Sequence, residues 1–167
     1  MADAAAIAHA HVRSWQSGYV DVVSNDFLKR LSLDLPRRTL LWQTRILGAE
    51  AEGTFVLVGE IDGEVAGWLS GGTYRGADIE VSSLGEVYAC YVDPAYWRQG
   101  VGSALMDVAL ERLAHTGFDK AVLWVLADNS RARSFYEHHR WLTDGAQKMY
   151  ELANERYPEV RYCRSLP

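Results

Sequence analysis

The sequence predicts a single α/β domain in which helices flank a sheet of mixed strand direction, and three observations carry that prediction. The chain has 167 residues, which suits one domain with a substantial core over residues 1–167. Its segments follow the order helices, hairpin, strand, helix, strand, helix, hairpin. Residues 121–127 form a continuous apolar run, which is typical of a strand buried on both faces of a sheet.

The first third of the chain is expected to be helical. In residues 4–20, apolar and aromatic side chains recur at every fourth position, as on one face of a helix. These are Ile7, His11, Trp15 and Tyr19. Residues 25–33 predict a short second helix. A third begins near Pro36, which suits a first helical turn, and ends at Gly48.

The middle of the chain predicts a hairpin and the strand that follows it. Residues 54–61 and 64–74 are separated by an Asp-Gly pair at 62–63, a typical two-residue hairpin turn. Residues 75–83 are expected to form a polar loop. Residues 86–92 predict the next strand.

Two further helices are expected after that strand. Residues 100–115 predict an amphipathic helix with Gly117 in its C-terminal cap. Residues 130–139 predict another, capped by Asn129 or Ser130.

The C-terminal end is expected to form a last hairpin. Residues 141–143 and 159–165 resemble strands, and Asp144-Gly145 is the predicted turn.

Composition and charge narrow the classes of partner. The formal net charge is −5 and lysine and arginine form no block, which argues against nucleic acid or an anionic membrane as a partner. The acidic balance is compatible with a cationic amine substrate. Cys90, Cys163 and the five scattered histidines give neither a disulfide framework nor the spacing of metal ligands. No apolar stretch approaches about eighteen residues and no signal peptide is recognisable, so the expected location is the cytoplasm.

A glycine-bearing loop at residues 97–102 is the strongest functional signal. It follows a strand and leads directly into a helix, and Gly100 and Gly102 let the backbone approach a ligand closely. The N–H groups and dipole of that helix suit a pyrophosphate. The loop lacks the lysine of a P-loop, and a Rossmann fingerprint would need glycine at Leu105. An ordinary strand-to-helix turn is the alternative without a function.

The loop resembles the acyl-coenzyme A loop of the GNAT superfamily of N-acetyltransferases, written Q/R-x-x-G-x-G/A after a strand that ends in aromatic-Val-x-Pro. Gly100 and Gly102 match its glycines. Trp97 stands where the family has glutamine or arginine, and Arg98 beside it can substitute. Residues 129–137 resemble the second family signature, Asn-x-x-Ala-x-x-Phe-Tyr-Glu.

The resemblance covers nearly the whole chain. Residues 11–19 look like the Trp-x-x-x-Tyr helix of a bacterial GNAT subgroup, and residues 158–166 look like its last strand. The resemblance implies a central, mostly antiparallel sheet with a V-shaped parallel splay, flanked by helices. The family's usual first strand is absent ahead of Asp3-Ala4. Arg140 replaces a glycine that follows the second signature, so a different local turn is expected there.

The resemblance also implies acetyl-coenzyme A (acetyl-CoA) as the acyl donor and no metal. The backbone of Val92 would pair with the pantetheine arm like an added strand. The implied donor-binding residues lie in the strand, the glycine loop and the second signature. They are Cys90, Tyr91, Val92, Arg98, Gln99, Gly100, Val101, Gly102, Ser103, Asn129, Ala132 and Tyr136.

Three groups are the implied catalytic groups. The Tyr136 hydroxyl would protonate the leaving thiolate, since a phenol with a pKa near 10 is a suitable acid for a thiolate with a pKa near 8.5. Glu86 falls where histone-type members have their general base. The backbone N–H of Cys90 would donate to the oxyanion. The Cys90 thiol is not expected to act as a nucleophile, because neither a histidine nor a cation lies near it in the sequence.

These residues also have readings without a catalytic role. Asn129 can be a helix cap alone, and Tyr136 a core aromatic residue beside Phe135. Glu86 can be an exposed charge at the start of a strand. Asp93 precedes a proline and is expected to be a turn residue rather than a base.

Aromatic side chains predict an acceptor pocket, since their faces suit an ammonium group or an apolar body. The candidates are Trp15, Tyr19, Trp42, Tyr74 and His11. Core packing is the alternative for each of them.

The resulting hypothesis is an N-acetyltransferase that moves an acetyl group from acetyl-CoA to a primary amine of a small molecule. The amine would attack directly in a ternary complex. The alternatives are a non-catalytic acyl-CoA-binding regulatory module, a protein or amino-terminal acetyltransferase with an open peptide groove, and a plain nucleotide-binding protein. A homodimer is compatible with the sequence.

Overall fold

The computed structural model describes residues 3–76 and 84–166, and within these ranges its elements follow the predicted order. The helices are α1 (Asp3–Gly18), α2 (Asn25–Arg30), α3 (Leu35–Gly48), α4 (Val101–His115) and α5 (Ser130–His138). The strands are β1 (Thr54–Ile61), β2 (Glu64–Thr73), β3 (Leu84–Val92), β4 (Lys120–Leu126), β5 (Leu142–Leu152) and β6 (Glu155–Ser165). Short 3₁₀ turns lie at Leu31–Asp34 and Pro94–Tyr96.

The strands form one sheet in the order β1-β2-β3-β4-β6-β5. Neighbouring strands are antiparallel except β3 and β4, which are parallel. Those two strands pair only between residues 84–86 and 120–122. Beyond this point they separate, so the sheet opens into a V. The mixed sheet and its parallel splay confirm the predicted fold class.

A bulge interrupts β3 where it runs beside β2. Ser70 pairs with Ala89, and the next residue, Gly71, pairs with Val87. Tyr88 is therefore an extra residue on β3, and extra residues of this kind bend a strand and re-aim its side chains.

The bulge determines which side chains share a face. Val87 and Cys90 contact the core that α4 covers, whereas Tyr91 contacts the core on the α1 face. Five positions separate Glu86 from Tyr91, which would place them on opposite faces of a regular strand. The extra residue brings both to the α1 face.

Two apolar cores cover the two faces of the sheet. On one face α4 packs through Met106 and Leu113, both fully buried. On the other face α1 and α3 pack through Ile7 and Trp42 against Trp68 of β2. The rings of Trp42 and Trp68 meet edge to face with centroids 4.3 Å apart. β3 is packed between α4 on one face of the sheet and α1 on the other.

The C-terminal hairpin differs from the prediction. β5 runs through Asp144-Gly145, where its register with β6 shifts, and the turn is formed by Ala153-Asn154. The predicted turn was wrong because Gly145, at φ 86°, serves a bulge inside a strand as readily as a turn. Ala153 and Asn154 have φ of 50° and 66°, the left-handed conformations that a tight hairpin turn requires.

The turn after α5 is the one that a glycine would make. Arg140 has φ 61°, its N–H donates to the Glu137 carbonyl at 3.0 Å, and the Trp141 N–H donates to the Tyr136 carbonyl at 3.0 Å. This is a Schellman cap. The expectation of a different turn was wrong, because Arg140 adopts the left-handed conformation at a cost of about 1 kcal/mol.

The other predicted boundaries agree with the observed ones to within a few residues. Gly117 follows the end of α4 with φ 95°, as a C-terminal cap, and Asn129 is the cap of α5. The first described element is α1, and residues 77–83 of the predicted polar loop lie outside the described residues. None of the described helices is long and apolar enough to cross a membrane.

Candidate active site

The loop before α4 presents free backbone donors to an open space. Gly100 caps α4 at φ 85° and supplies no side-chain hydrogen bond. The N–H groups of residues 101–103 have no acceptor within the helix, and its first turn contains no acidic side chain. A Cβ at Gly100 would meet no described atom within 4 Å. An anion can therefore approach this helix end directly.

Trp97, at the start of this loop, is held by two contacts. Its indole N–H donates to the Val92 carbonyl at 2.8 Å. The guanidinium of Arg131 lies 3.9 Å from the centroid of one of its rings. The indole has no second polar atom to offer a phosphate. The exposed side chains of Arg98 and Arg131 supply positive charge beside the loop instead.

The backbone of β3 is available inside the splay. The Asp93 N–H donates to Ala66 on β2, and alternation along the strand turns the N–H groups of Cys90 and Val92 the other way, toward β4. No β4 residue pairs with them, because the ladder ends at Glu86. The Val92 carbonyl already accepts from the Trp97 indole and the Ser14 hydroxyl, at 2.8 Å each.

Tyr136 carries a buried phenol near the Cys90 thiol and the Tyr19 hydroxyl. It is 8% exposed, and its hydroxyl has no hydrogen-bond partner within the described residues. Burial raises its pKa well above the usual value of 10.0, and the thiol of Cys90 and the hydroxyl of Tyr19 raise it further. The Schellman cap fixes the backbone at this residue. The phenol therefore keeps its proton at neutral pH.

Polar groups of α1, β3 and α5 meet beside Tyr136. The Tyr19 and Tyr91 hydroxyls are 3.4 Å apart, and burial raises the pKa of both. The Asn129 side chain lies next to the Tyr19 hydroxyl and accepts the Ala132 N–H at 3.1 Å as the cap of α5. Asn129 thus caps the helix and also faces this cluster.

Glu86 is a buried carboxylate bound by one arginine. It is 5% exposed and lies on the α1 face. Arg75 binds it through its backbone N–H at 3.0 Å, its Nε at 3.3 Å and its Nη2 at 3.0 Å. The Arg75 side chain is itself 60% exposed and stacks on the ring of Tyr88 at 3.6 Å. The exposed side chain of Arg75 therefore covers the buried carboxylate of Glu86 and can be displaced from it.

Two adjoining cavities, of about 560 Å³ and 540 Å³, open beside Glu86. Both are bordered by Arg75, Glu86, Trp124 and Lys148, so they meet around these four residues. Tyr74 lines the first of them. The second, which we call the α1–α3 cavity, lies between α1, α3 and the sheet.

The structure places three of the predicted aromatic residues, His11, Trp15 and Trp42, in the lining of the α1–α3 cavity. Tyr19 is not in that lining. It stacks on Trp15, with ring centroids 4.3 Å apart and an angle of 8° between the planes. Burial, followed by the charges of Arg38 and Arg45, lowers the pKa of His11 to about 3. His11 is therefore neutral.

Several polar residues of the lining were missed from the sequence. Arg75 and Lys148 are partly exposed, as ordinary surface charges are. Arg75 nevertheless pairs with Glu86 at 3.0 Å, and Lys148 pairs with Glu159 at 3.4 Å. Arg38 and Arg45 are seven positions apart, which places them on one face of α3. That spacing was the available signal.

Two residues behave as structural groups. Asp93 caps the 3₁₀ turn after β3 by accepting the Ala95 N–H at 3.0 Å, and it pairs with Arg13 at 2.8 Å. Burial raises the pKa of the Cys90 thiol to about 12, which disfavours the nucleophilic thiolate. Within the described ranges, three or more potential ligands of the histidine, cysteine, aspartate and glutamate types do not cluster as a metal site.

Comparison with known proteins identifies the family of this chain. The sequence model of the Acetyltransferase (GNAT) family matches residues 13–140. YuaI of Bacillus subtilis (strain 168), described as an uncharacterized N-acetyltransferase, is 32% identical over 154 residues, which span 92% of this chain and 83% of YuaI.

Solved structures share the fold at low identity. The paia N-acetyltransferase from Thermoplasma acidophilum, in complex with coenzyme A, has a TM-score of 0.69 at 17% identity and covers 95% of this chain and 92% of its own. The yncA protein from Salmonella typhimurium, with its cofactor acetyl-CoA, has a TM-score of 0.71 at 21% identity and covers 99% and 90%. The family match spans most of the sequence, and the chain therefore belongs to the acetyltransferase (GNAT) family.

Proposed function

We propose that residues 1–167 act as one catalytic domain that transfers an acetyl group from acetyl-CoA to a primary amine of a small molecule. The observation that carries the proposal is the position of β3. The strand offers unpaired backbone N–H groups to the splay, and its side chains Glu86 and Tyr91 border the α1–α3 cavity. Acetyl-CoA bound along the splay and an amine bound in the cavity would therefore meet at β3.

The residues present fit acetyl-CoA. The free N–H groups of residues 101–103 suit its pyrophosphate, and those of Cys90 and Val92 suit the amides of the pantetheine arm. Because the Val92 carbonyl already accepts two hydrogen bonds, the Val92 N–H is the group that would bind acetyl-CoA. The structures of the two neighbours, with coenzyme A and with acetyl-CoA, support this ligand class. Acetyl-CoA supplies an activated acetyl group and a thiolate leaving group.

Three groups of this chain then act on the reaction. Glu86 accepts the proton of the attacking amine, directly or through water, once Arg75 releases one of its oxygens. The Cys90 N–H donates to the negative charge that develops on the carbonyl oxygen. Tyr136 gives its proton to the departing sulfur, and its raised pKa keeps that proton available. The amine gains the acetyl group by direct attack, and the thiol leaves.

This arrangement favours an enzyme over a non-catalytic binding module. A module would need only the glycine loop. This chain also buries a phenol that has no hydrogen-bond partner among the described residues, and a carboxylate at the cavity. An aromatic-walled cavity of about 540 Å³ favours a small acceptor over a peptide in an open groove. The homodimer stays a prediction, and light scattering in solution tests it.

The test of donor binding compares two glycines. Gly100 and Gly117 both have positive φ, 85° and 95°, and neither has a described neighbour within 4 Å of an added Cβ. Valine at either position should strain the backbone equally. In calorimetric titration with coenzyme A, Gly100→Val should weaken binding by about tenfold or more, since the branched side chain stands where the phosphates approach. Gly117→Val should bind as wild type does.

Two results would contradict this function. Equal affinity of folded Gly100→Val and Gly117→Val would remove the loop from the donor site. Wild-type protein that binds coenzyme A but releases no thiol from acetyl-CoA with any primary amine of a broad panel would identify a binding module.

A further inference from the structure

The α1–α3 cavity concentrates buried polar atoms without partners. Within the described residues, five buried side-chain nitrogens lack a hydrogen bond, and four of them belong to residues of this lining. These are His11 Nδ1, Trp15 Nε1, Arg38 Nε and Trp68 Nε1. The Trp15 N–H lies beside the Tyr91 hydroxyl, outside hydrogen-bond geometry. Unpaired buried groups are rare in folded proteins, so their concentration around one cavity distinguishes this region from the rest of the core.

The cavity also holds two cations that no carboxylate fully neutralises. Asp34 lies 3.7 Å from Arg38 Nε, but it is already bound by Arg37 through two bonds of 2.8 Å. Arg45 lies over the ring of Trp42 at 5.2 Å. Burial and the charge of Arg75 lower the pKa of Arg45, and Glu52 opposes this without forming an ion pair in the described ranges.

The other two cations of the lining are paired with carboxylates. Arg75 pairs with Glu86 at 3.0 Å, and Lys148 pairs with Glu159 at 3.4 Å. The lining has four cations and three carboxylates, Glu52 included, so one net positive charge remains, on the α3 side of the cavity. Burial is the main cause of the low pKa of His11, and the charges of Arg38 and Arg45 lower it further.

We propose that the acceptor is an amine that also carries a carboxylate, bound with its carboxylate at Arg38 and Arg45. This inference rests on the acetyltransferase function proposed above. The carboxylate would bind the two guanidinium groups, since guanidinium groups bind carboxylates strongly when water is excluded. The aromatic rings of Trp42 and Trp68 would contact an apolar body, and the amine would point toward Glu86. Polyamines and other purely cationic acceptors would be repelled.

Matched pairs of acceptors test this class. Each pair shares its apolar body: phenylalanine with phenylalaninamide, leucine with leucinamide, and 6-aminohexanoate with hexylamine. The amides have the less basic amine, which by itself favours their acetylation, so a preference for the acid is not an effect of amine basicity. The carboxylate member should have a kcat/KM about tenfold or more higher in at least one pair. It should also bind the protein without acetyl-CoA, measured by quenching of tryptophan fluorescence.

Variants of α3 locate the effect. The double variant Arg38→Met/Arg45→Met should lose the preference for the carboxylate member in both assays. Arg38→Lys, which keeps a positive charge at this position, should retain part of that preference. Arg30→Met is the control, because Arg30 is exposed on α2 and does not line the cavity. It should leave the preference unchanged.

The outcomes separate this inference from the function on which it rests. If the amides and hexylamine were acetylated with the same kcat/KM as the acids, the carboxylate assignment would be overturned. The proposed acetyltransferase function would be unaffected. A preference for acids that survives in the double variant would also overturn it, as would an absence of binding and turnover for both members of every pair. Failure to bind coenzyme A would instead count against the proposed function.

Discussion

Substitution of Tyr136 by phenylalanine separates catalysis from packing. The ring of Tyr136 packs among Phe135, Trp141 and Tyr162, with centroids 5.5–6.4 Å away, and the variant keeps all of these contacts. The hydroxyl has no partner within the described residues, so its removal breaks no hydrogen bond. The free energy of unfolding should change by less than about 1 kcal/mol.

The rate should respond differently. A positioned general acid contributes about 10²-fold or more to turnover, which corresponds to about 2.7 kcal/mol of activation free energy. Since the proton moves to the sulfur in the transition state, the loss should fall on kcat and leave the KM for acetyl-CoA nearly unchanged. The pKa of Tyr136 is raised above 10, so its protonated, active form persists as pH rises. Ionisation of this phenol should therefore cause no decline of kcat below about pH 10.

Tyr162→Phe is the matched comparison. Tyr162 is fully buried, and its hydroxyl donates to Glu137 at 2.6 Å and accepts from Arg133 at 3.1 Å. This variant should lose about 1.5–3 kcal/mol of stability with little loss of kcat. Steady-state kinetics with thermal unfolding of both variants would refute the reasoning if Tyr136→Phe turned over at the wild-type rate with chemistry rate-limiting.

Four further substitutions test the site and the fold. Glu86→Gln should lose most activity at low pH and least at high pH, where the amine deprotonates unaided; a pH–rate profile parallel to wild type would exclude a base role. The folded pKa of His11, about 3, lies below its unfolded value of 6.5, so the unfolded chain binds the extra proton between these values. Stability should fall as pH drops from about 6.5 to 3, by up to about 1.4 kcal/mol per unit, and His11→Phe should flatten this slope in denaturant titrations. Gly71→Ala should destabilise by about 1–3 kcal/mol, because its Cβ would lie 2.9 Å from the Glu86 carbonyl oxygen, whereas Gly18→Ala, with no described neighbour within 4 Å, should not destabilise. Arg140→Gly should raise the midpoint of thermal unfolding by relieving about 1 kcal/mol of backbone strain, and an unchanged or lower midpoint would contradict that strain.

Local sequence signals predicted the fold well where one residue type has one use. Asp62-Gly63 formed the expected hairpin turn, with φ of 52° and 81°, and Gly100 began α4 in a left-handed conformation. The signals failed where a residue has two uses. Gly145 lies in a bulge instead of a turn. Arg140 adopts the left-handed conformation that glycine usually adopts at the end of a helix.

The candidate site was predictable along the chain but not across it. The glycine loop and Tyr136 are read from contiguous motifs. The side on which Glu86 lies depends on the extra residue at Tyr88, and pairing with β2 rather than local sequence creates that bulge. The spacing of Arg38 and Arg45 puts them on one face of α3, but only the packing of α3 beside α1 over the sheet places that face at a cavity.

Mass spectrometry of one reaction mixture tests the central claim most directly. Protein, acetyl-CoA and a panel of primary amines would be mixed, and the amines, the released thiol and the intact protein would be measured over several turnovers. Direct transfer predicts that one amine gains a single acetyl group for each thiol released, while the protein mass stays unchanged. Accumulation of acetylated protein as a competent intermediate, or no amine product despite bound coenzyme A, would contradict the account.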